Sequence, residues 1–203
     1  MTDLISIIPI TVVSAIALFF IKETIELLRR WRADARKIRG LSRLFTRECE
    51  TNLWAIRRIR SICNDIKETF DAYEKTKDEY FNSIFTASFS KSGVIRYVQT
   101  DTNGKLQSSM SIPRVHKDIL TKYMLEAASL DGKFFEAMQS AYSAIVELEH
   151  VRDSLIHHLD GDERHFLEGF CDYALNELTD IEGNLSGAYA KWTGKELTEH
   201  KMR

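Results

Sequence analysis

From Leu4 to Ile21 the chain reads LISIIPITVVSAIALFFI, 18 residues without a charge. As a helix this run rises about 27 Å, close to the hydrocarbon thickness of a bilayer, and no other stretch of the sequence compares with it. The expectation is a single membrane anchor at the N-terminus. A cleavable signal peptide fits less well, because the chain opens Met1-Thr2-Asp3 without a basic segment and the apolar run continues past Ala15-Ile16-Ala17. A buried core helix is the other alternative, since Pro9 lies inside the run and its length is at the low end for a span.

The flanks give that anchor an orientation. No Lys or Arg precedes the run, whereas Lys22, Arg29, Arg30, Arg32, Arg36, Lys37 and Arg39 follow it. Cationic flanks stay on the cytoplasmic side, so a single-pass protein is expected, with the N-terminus outside and the bulk of the chain cytosolic. A reducing compartment also suits three cysteines, Cys49, Cys63 and Cys171, whose odd number and wide spacing make neither a disulfide framework nor a metal knuckle. The small residues Thr11, Ser14 and Ala15 within the run leave room for close helix–helix approach and so for self-association.

Charge divides the chain in two. Residues 1–60 hold twelve Lys and Arg against six Asp and Glu, and residues 61–203 hold sixteen against twenty-four. The basic part is read as lipid contact. An acidic distal part argues against general nucleic-acid binding, because phosphate affinity rests on cationic neutralisation.

Three segments are expected: an anchor over 1–22, a basic juxtamembrane helix over 23–40 broken by Gly40, and an α-helical cytosolic domain over 41–203. From Leu41 to about Phe85 the sequence reads as helix, with Leu44, Leu53, Ile56, Ile59, Ile62 and Ile66 near helical spacing. Phe70, Tyr73, Tyr80, Phe81 and Phe85 extend that buried face. The β-prone Gly93–Gln99 stretch, the turn signal Asp101-Thr102-Asn103-Gly104 and Lys105-Leu106-Gln107 predict a small inserted hairpin near 93–112, closed by Pro113, with a flexible loop as the alternative. Further helices are expected over Val115–Leu130, from Lys133 to about Leu159 after a break at Asp131-Gly132, and from an Asp162 cap to about Trp192. The fold class is therefore all-α: one transmembrane helix and a cytosolic bundle.

One stripe in this bundle carries chemistry. Phe134, Met138, Ala141, Ile145, Leu148, Arg152, Leu155 and Leu159 recur at alternating steps of four and three, and every one is apolar except Arg152. A guanidinium at a seam position costs desolvation unless it is paired or has a task. Asp153 follows it, and His157 and His158 come next. A purely structural role has Arg152 paired with Glu149 or a carboxylate of another chain, and Asp153 bonded to His157 one turn on.

Arg152, the polar Asp153, three further residues and then His157, near the end of a long helix in an all-α domain, resemble the R-x4-H motif of the HEPN family. That resemblance implies a metal-independent ribonuclease in which paired motifs meet in a dimer. His157 would take a proton from a ribose hydroxyl and Arg152 would hold the charge building on the phosphate. The whole layout also resembles the small transmembrane accessory proteins of type VI-B CRISPR systems. This second resemblance implies a homo-oligomeric, pore-like ring in the lipid bilayer of the bacterial inner membrane, which perturbs that membrane beside an RNA-guided, RNA-cutting effector. RNA is a partner only in the nuclease reading. No cofactor or metal is expected. His157, His158, Asp162 and His165 read as a solvated helix end rather than a metal cluster, and a single Glu-x-x-His is too few for a di-iron bundle. The absence of GxGxxG, Walker and nucleophile-elbow motifs excludes the common soluble enzyme classes.

Overall fold

Seven elements make up the computed structural model, which describes residues 10–76, 83–160 and 164–198. In chain order they are α1 (Ile10–Thr76), β1 (Ser83–Phe89), β2 (Ile95–Asp101), β3 (Leu106–Ile112), α2 (Asp118–Leu130), α3 (Gly132–Asp160) and α4 (Arg164–Thr193). They divide into two compact units, Met1–Ser42 and Arg43–Arg203.

The described part of the first unit is the opening stretch of α1. Its large apolar side chains are left to solvent, Phe20 and Trp31 at 63% and 69% exposure. Among the described residues no helix is long and apolar enough to cross a membrane, which overturns the anchor, its single-pass orientation and the inner-membrane location tied to it. The reason lies in the charges. Within α1 the uncharged run is only Ile10–Ile21, about 18 Å of helix, and Lys22, Glu23 and Glu26 interrupt it at once. Residues 4–9 of the apolar run lie outside the described residues. Gly40 does not break the helix either, since α1 continues through it to Thr76.

The second unit is built on the rest of α1. Phe45, Cys49, Leu53, Ile56, Ile59, Cys63 and Ile66 are all buried, and their three- and four-residue steps form one stripe. The stripe of α3 faces inward as its spacing requires: Phe134, Met138, Ala141, Ile145, Leu148, Leu155 and Leu159 are buried. Leu167, Ala174, Leu178, Ile181 and Leu185 do the same for α4. Phe134 meets Phe45 edge-on at 5.8 Å and Trp192 at 4.5 Å, tying α1, α3 and the end of α4 together. Asp131 makes the corner between α2 and α3. Its backbone N–H closes α2 onto Ala127, while its carboxylate accepts the Phe134 N–H and caps α3.

The all-α expectation also needs correcting, because the insertion is a three-stranded antiparallel sheet in the order β1-β2-β3. The expected hairpin corresponds to β2 and β3, joined by the Asp101–Gly104 turn. In that turn the Asp101 carboxylate accepts the N–H groups of Asn103 and Lys105, and Gly104 takes the positive φ of 79° that side chains disfavour. The strand not anticipated is β1, Ser83–Phe89, assigned in part to the preceding helix. Its β-branched and aromatic Ile84-Phe85-Thr86 stretch pairs with β2, Phe85 opposite Gln99. Tyr80 and Phe81 lie outside the described residues, as does the Gly161-Asp162 break with its expected cap.

Candidate functional site

Arg152 is the one polar member of the buried α3 stripe, and the fold explains how it is accommodated. Its side chain is 17% exposed. Nε donates to the carbonyl of Pro113 at 2.7 Å, and Nη1 donates to the Asp153 carboxylate. The buried Pro113 ends β3, so its carbonyl lies beyond the last ladder pair and needs a donor from elsewhere. The neighbouring Glu149 is engaged by Lys117 rather than by Arg152. Two residues on α3 thus grip the two ends of the link between β3 and α2.

The same link is held from the other side by α1. Asn52, fully buried, accepts the His116 N–H at 2.9 Å and donates to the His116 carbonyl at 2.6 Å. Glu48, one turn earlier and 3% exposed, accepts the N–H groups of Ile119 and Leu120 at 3.0 and 2.9 Å. Its carboxylate caps α2 from a distant part of the chain, where Lys117 at the cap position supplies no side-chain bond. Burial pushes the Glu48 carboxyl above its ordinary value, and the two backbone donors pull it partly back. His116 is lowered, first by burial and then by Arg114, with Asp118 opposing. Arg47, Glu48, Thr51, His116, Asp118 and Ile119 line a cavity of about 320 Å³ beside this link. Each Glu48 oxygen accepts one backbone N–H of α2 there, so the carboxylate is committed first to capping that helix.

The structure brings together only part of the expected set. Arg152 and Asp153 touch, whereas the exposed His157 makes its ring contact with His158, at 5.9 Å between centroids. His158 lies at 4.7 Å against Phe170 of α4 and is a packing residue. Five residues of helix turn Arg152 and His157 about 140° apart, which is why one points at Pro113 and the other at solvent. Of the expected solvated cluster, Asp162 lies outside the described residues. Among those described no group of three or more His, Cys, Asp or Glu is placed to hold a metal.

Sequence reasoning passed over Glu48 and Asn52, although both interrupt the α1 stripe as Arg152 interrupts that of α3. It also passed over a polar knot beneath the sheet. There Tyr97, fully buried, donates to Asp65 at 2.9 Å, and the Gln99 amide donates to Thr69, Ser83 and Gln107. A groove of about 480 Å³ opens above Asp65, lined by Arg57, Arg60, Ser61, Asn64, Ser108 and Met110 among others. Arg60 is already committed to Glu182 at 2.6 Å and to the Leu178 carbonyl.

No family model matches the chain, and neither the curated proteins nor the solved structures contain a match to it.

Proposed function

We propose that this chain is a self-assembling accessory protein of bacterial antiviral CRISPR defence, which works beside an RNA-guided, RNA-cutting effector and perturbs the membrane as a pore-like ring of many copies. The link to the effector rests on the parts of the resemblance of layout that do not depend on a span: the basic stem, the mostly helical second unit, and Arg152 with His157 near the end of α3. Assembly rests on one observation: Leu18, Phe19, Phe20, Ile21, Leu27 and Trp31 of α1 are all exposed. A contiguous apolar surface of this extent is a contact waiting to be covered, by further copies or by lipid. Gathering many copies concentrates that surface, and the proposal requires no helix that crosses the bilayer alone. In this reading Arg152 is a positioning residue for the link between β3 and α2, and His157 belongs to the subunit surface.

The ribonuclease reading has less to stand on, because the guanidinium is turned to Pro113 and away from the His157 face.

Light scattering of the purified full chain, followed by dye release from lipid vesicles, tests the proposal. A mass of many subunits and dye release are expected, both reduced by Phe19→Ser with Phe20→Ser. A compact dimer that cuts RNA without added metal, and stops doing so with His157→Ala, would replace this reading with the enzymatic one.

A further inference from the structure

Placed on a helical wheel, residues 20–39 of α1 sort into sectors. Phe20, Thr24, Leu27, Leu28, Trp31 and Ala35 fall within about 100° of one another, and no charged residue shares their sector. Phe20, Leu27, Leu28 and Trp31 are exposed, while the Thr24 hydroxyl is spent on the Phe20 carbonyl at 2.7 Å. Arg29, Arg32, Arg36 and Arg39 flank this sector at steps of three, four and three, a row about 15 Å long. All four are exposed, and among the described residues none of them is held by a carboxylate. The acids of the stretch, Glu23, Glu26 and Asp34, lie about 100° or more from the middle of the row, on a flank shared with Arg30 and Lys37. Glu26 pairs with Arg30 there. Row and sector meet, because Trp31 and Ala35 wall one cleft of about 650 Å³ together with the four arginines.

A partner for this surface has to cover apolar side chains and neutralise unspent guanidinium groups at once. A nucleic acid meets the second need and leaves Leu27 and Leu28 in water. The same face of a second copy meets the first and sets arginine against arginine. The surface of an anionic bilayer meets both. A helix lying in that surface sinks its apolar sector toward the acyl chains, and arginine side chains at the sector's edge reach up to lipid phosphates. Trp31 suits that depth, since an indole is apolar in its ring and polar at its N–H.

We propose that residues 20–39 of α1 dock in the plane of an anionic lipid surface, with Trp31 and its sector facing the acyl chains and the arginine row holding headgroup phosphates. This inference rests on the membrane side of the function proposed above and names the lipid chemistry it takes. It holds whether or not the copies close into a ring.

The test is flotation of the full chain with vesicles of about one part phosphatidylglycerol to two of phosphatidylcholine, against phosphatidylcholine alone. Partition onto the anionic vesicles is expected to be stronger by about tenfold or more at about 0.1 M NaCl. It should fall at about 1 M, where the screening length drops from roughly 10 Å to roughly 3 Å. Arg32→Gln with Arg36→Gln should weaken anionic binding roughly twentyfold, about fivefold for each cation, and leave neutral binding unchanged. Leu27→Ser with Trp31→Ser should weaken both, with helical circular dichroism in solution as in the parent. The blue shift of tryptophan emission on anionic vesicles should be lost in Trp31→Phe. Equal partition onto the two kinds of vesicle, or an arginine variant that binds as the parent does, overturns the inference. So does a chain that forms large species in solution and stays off vesicles, an outcome that leaves the assembly standing. Anionic binding without dye release or large species upholds the lipid contact and overturns the ring. Retention on RNA that is lost in the arginine variant, with no vesicle binding, overturns it in favour of nucleic acid.

Discussion

Arg152 and His157 lie five positions apart, yet the fold asks different things of them. Replacing Arg152 by Ala strips the buried Pro113 carbonyl of its donor and opens a gap in the α3 seam. An unsatisfied buried acceptor costs about 1–3 kcal/mol, and Lys, a point charge without the fork, should recover little of it. His157→Ala removes an exposed side chain and should stay within about 0.5 kcal/mol of the parent. Urea unfolding of the two variants checks this contrast, and equal midpoints would show that the Pro113 contact is not holding the link. That Arg152 is exceptional could be read from the sequence, because a cation interrupts an apolar period. What it holds could not, because the partner is a backbone carbonyl 39 residues away and backbone groups leave no mark in residue types. Glu48 and Asn52 left the same kind of mark in α1, and each is spent on the same link. A polar residue in a buried stripe is thus a signal for a distant backbone contact before it is a signal for catalysis.

At the scale of elements, α2 is a short helix whose first turn is satisfied by another helix rather than by its own cap residue. Glu48→Ala should therefore unravel the start of α2 and cost about 2–4 kcal/mol, since two charge-assisted bonds are lost and a void is left. Glu48→Gln keeps one oxygen acceptor and should cost visibly less. Hydrogen exchange localises the effect: protection at Ile119 and Leu120 should fall before that of α3, and a uniform loss across the unit would contradict a local capping role. The helix boundaries near residue 131 were legible because Asp131 and Gly132 carry their own turn chemistry. The boundary of β1 was not. Phe70 and Phe85 do meet, at 5.7 Å between ring centroids, as a continued buried stripe requires. The second ring arrives on a strand instead of a helix, and a short apolar run does not distinguish the two. Phe85 then lies at 6.2 Å over Tyr97 of the neighbouring strand, a pairing invisible to any local period.

On the scale of the molecule, the two units differ in what they can do alone. The buried apolar residues run from Phe45 to Leu197 in the second unit, while Leu41 represents the first among those described. Helix propensity by itself does not order a solitary helix strongly, since helices in proteins are held mainly by packing. Among its described residues the first unit therefore has exposed apolar surface and exposed arginines but only Leu41 buried, and that apolar surface has to be covered by something outside the unit. The sequence made that surface plain and led to a bilayer-spanning reading, because eighteen uncharged residues have the right length for one. Of that run the described helix holds Ile10–Ile21, twelve residues before Lys22, and among the described residues no helix is long and apolar enough to cross a membrane. The proposed self-assembly then implies a division of labour, with Arg43–Arg203 as the folding unit and the residues before it as the contact surface. A chain of residues 43–203 should unfold cooperatively within a few degrees of the full-length protein, because the buried face of its α1 segment, α3 and α4 is retained. If the proposed assembly is right, it should also stay monomeric at concentrations where the full chain forms larger species, having lost the exposed apolar side chains of residues 18–31. Thermal unfolding and sedimentation of the same sample separate these statements. A shortened chain that still assembles would move the subunit contacts into the second unit, and one that fails to fold would show that the opening helix contributes to the core.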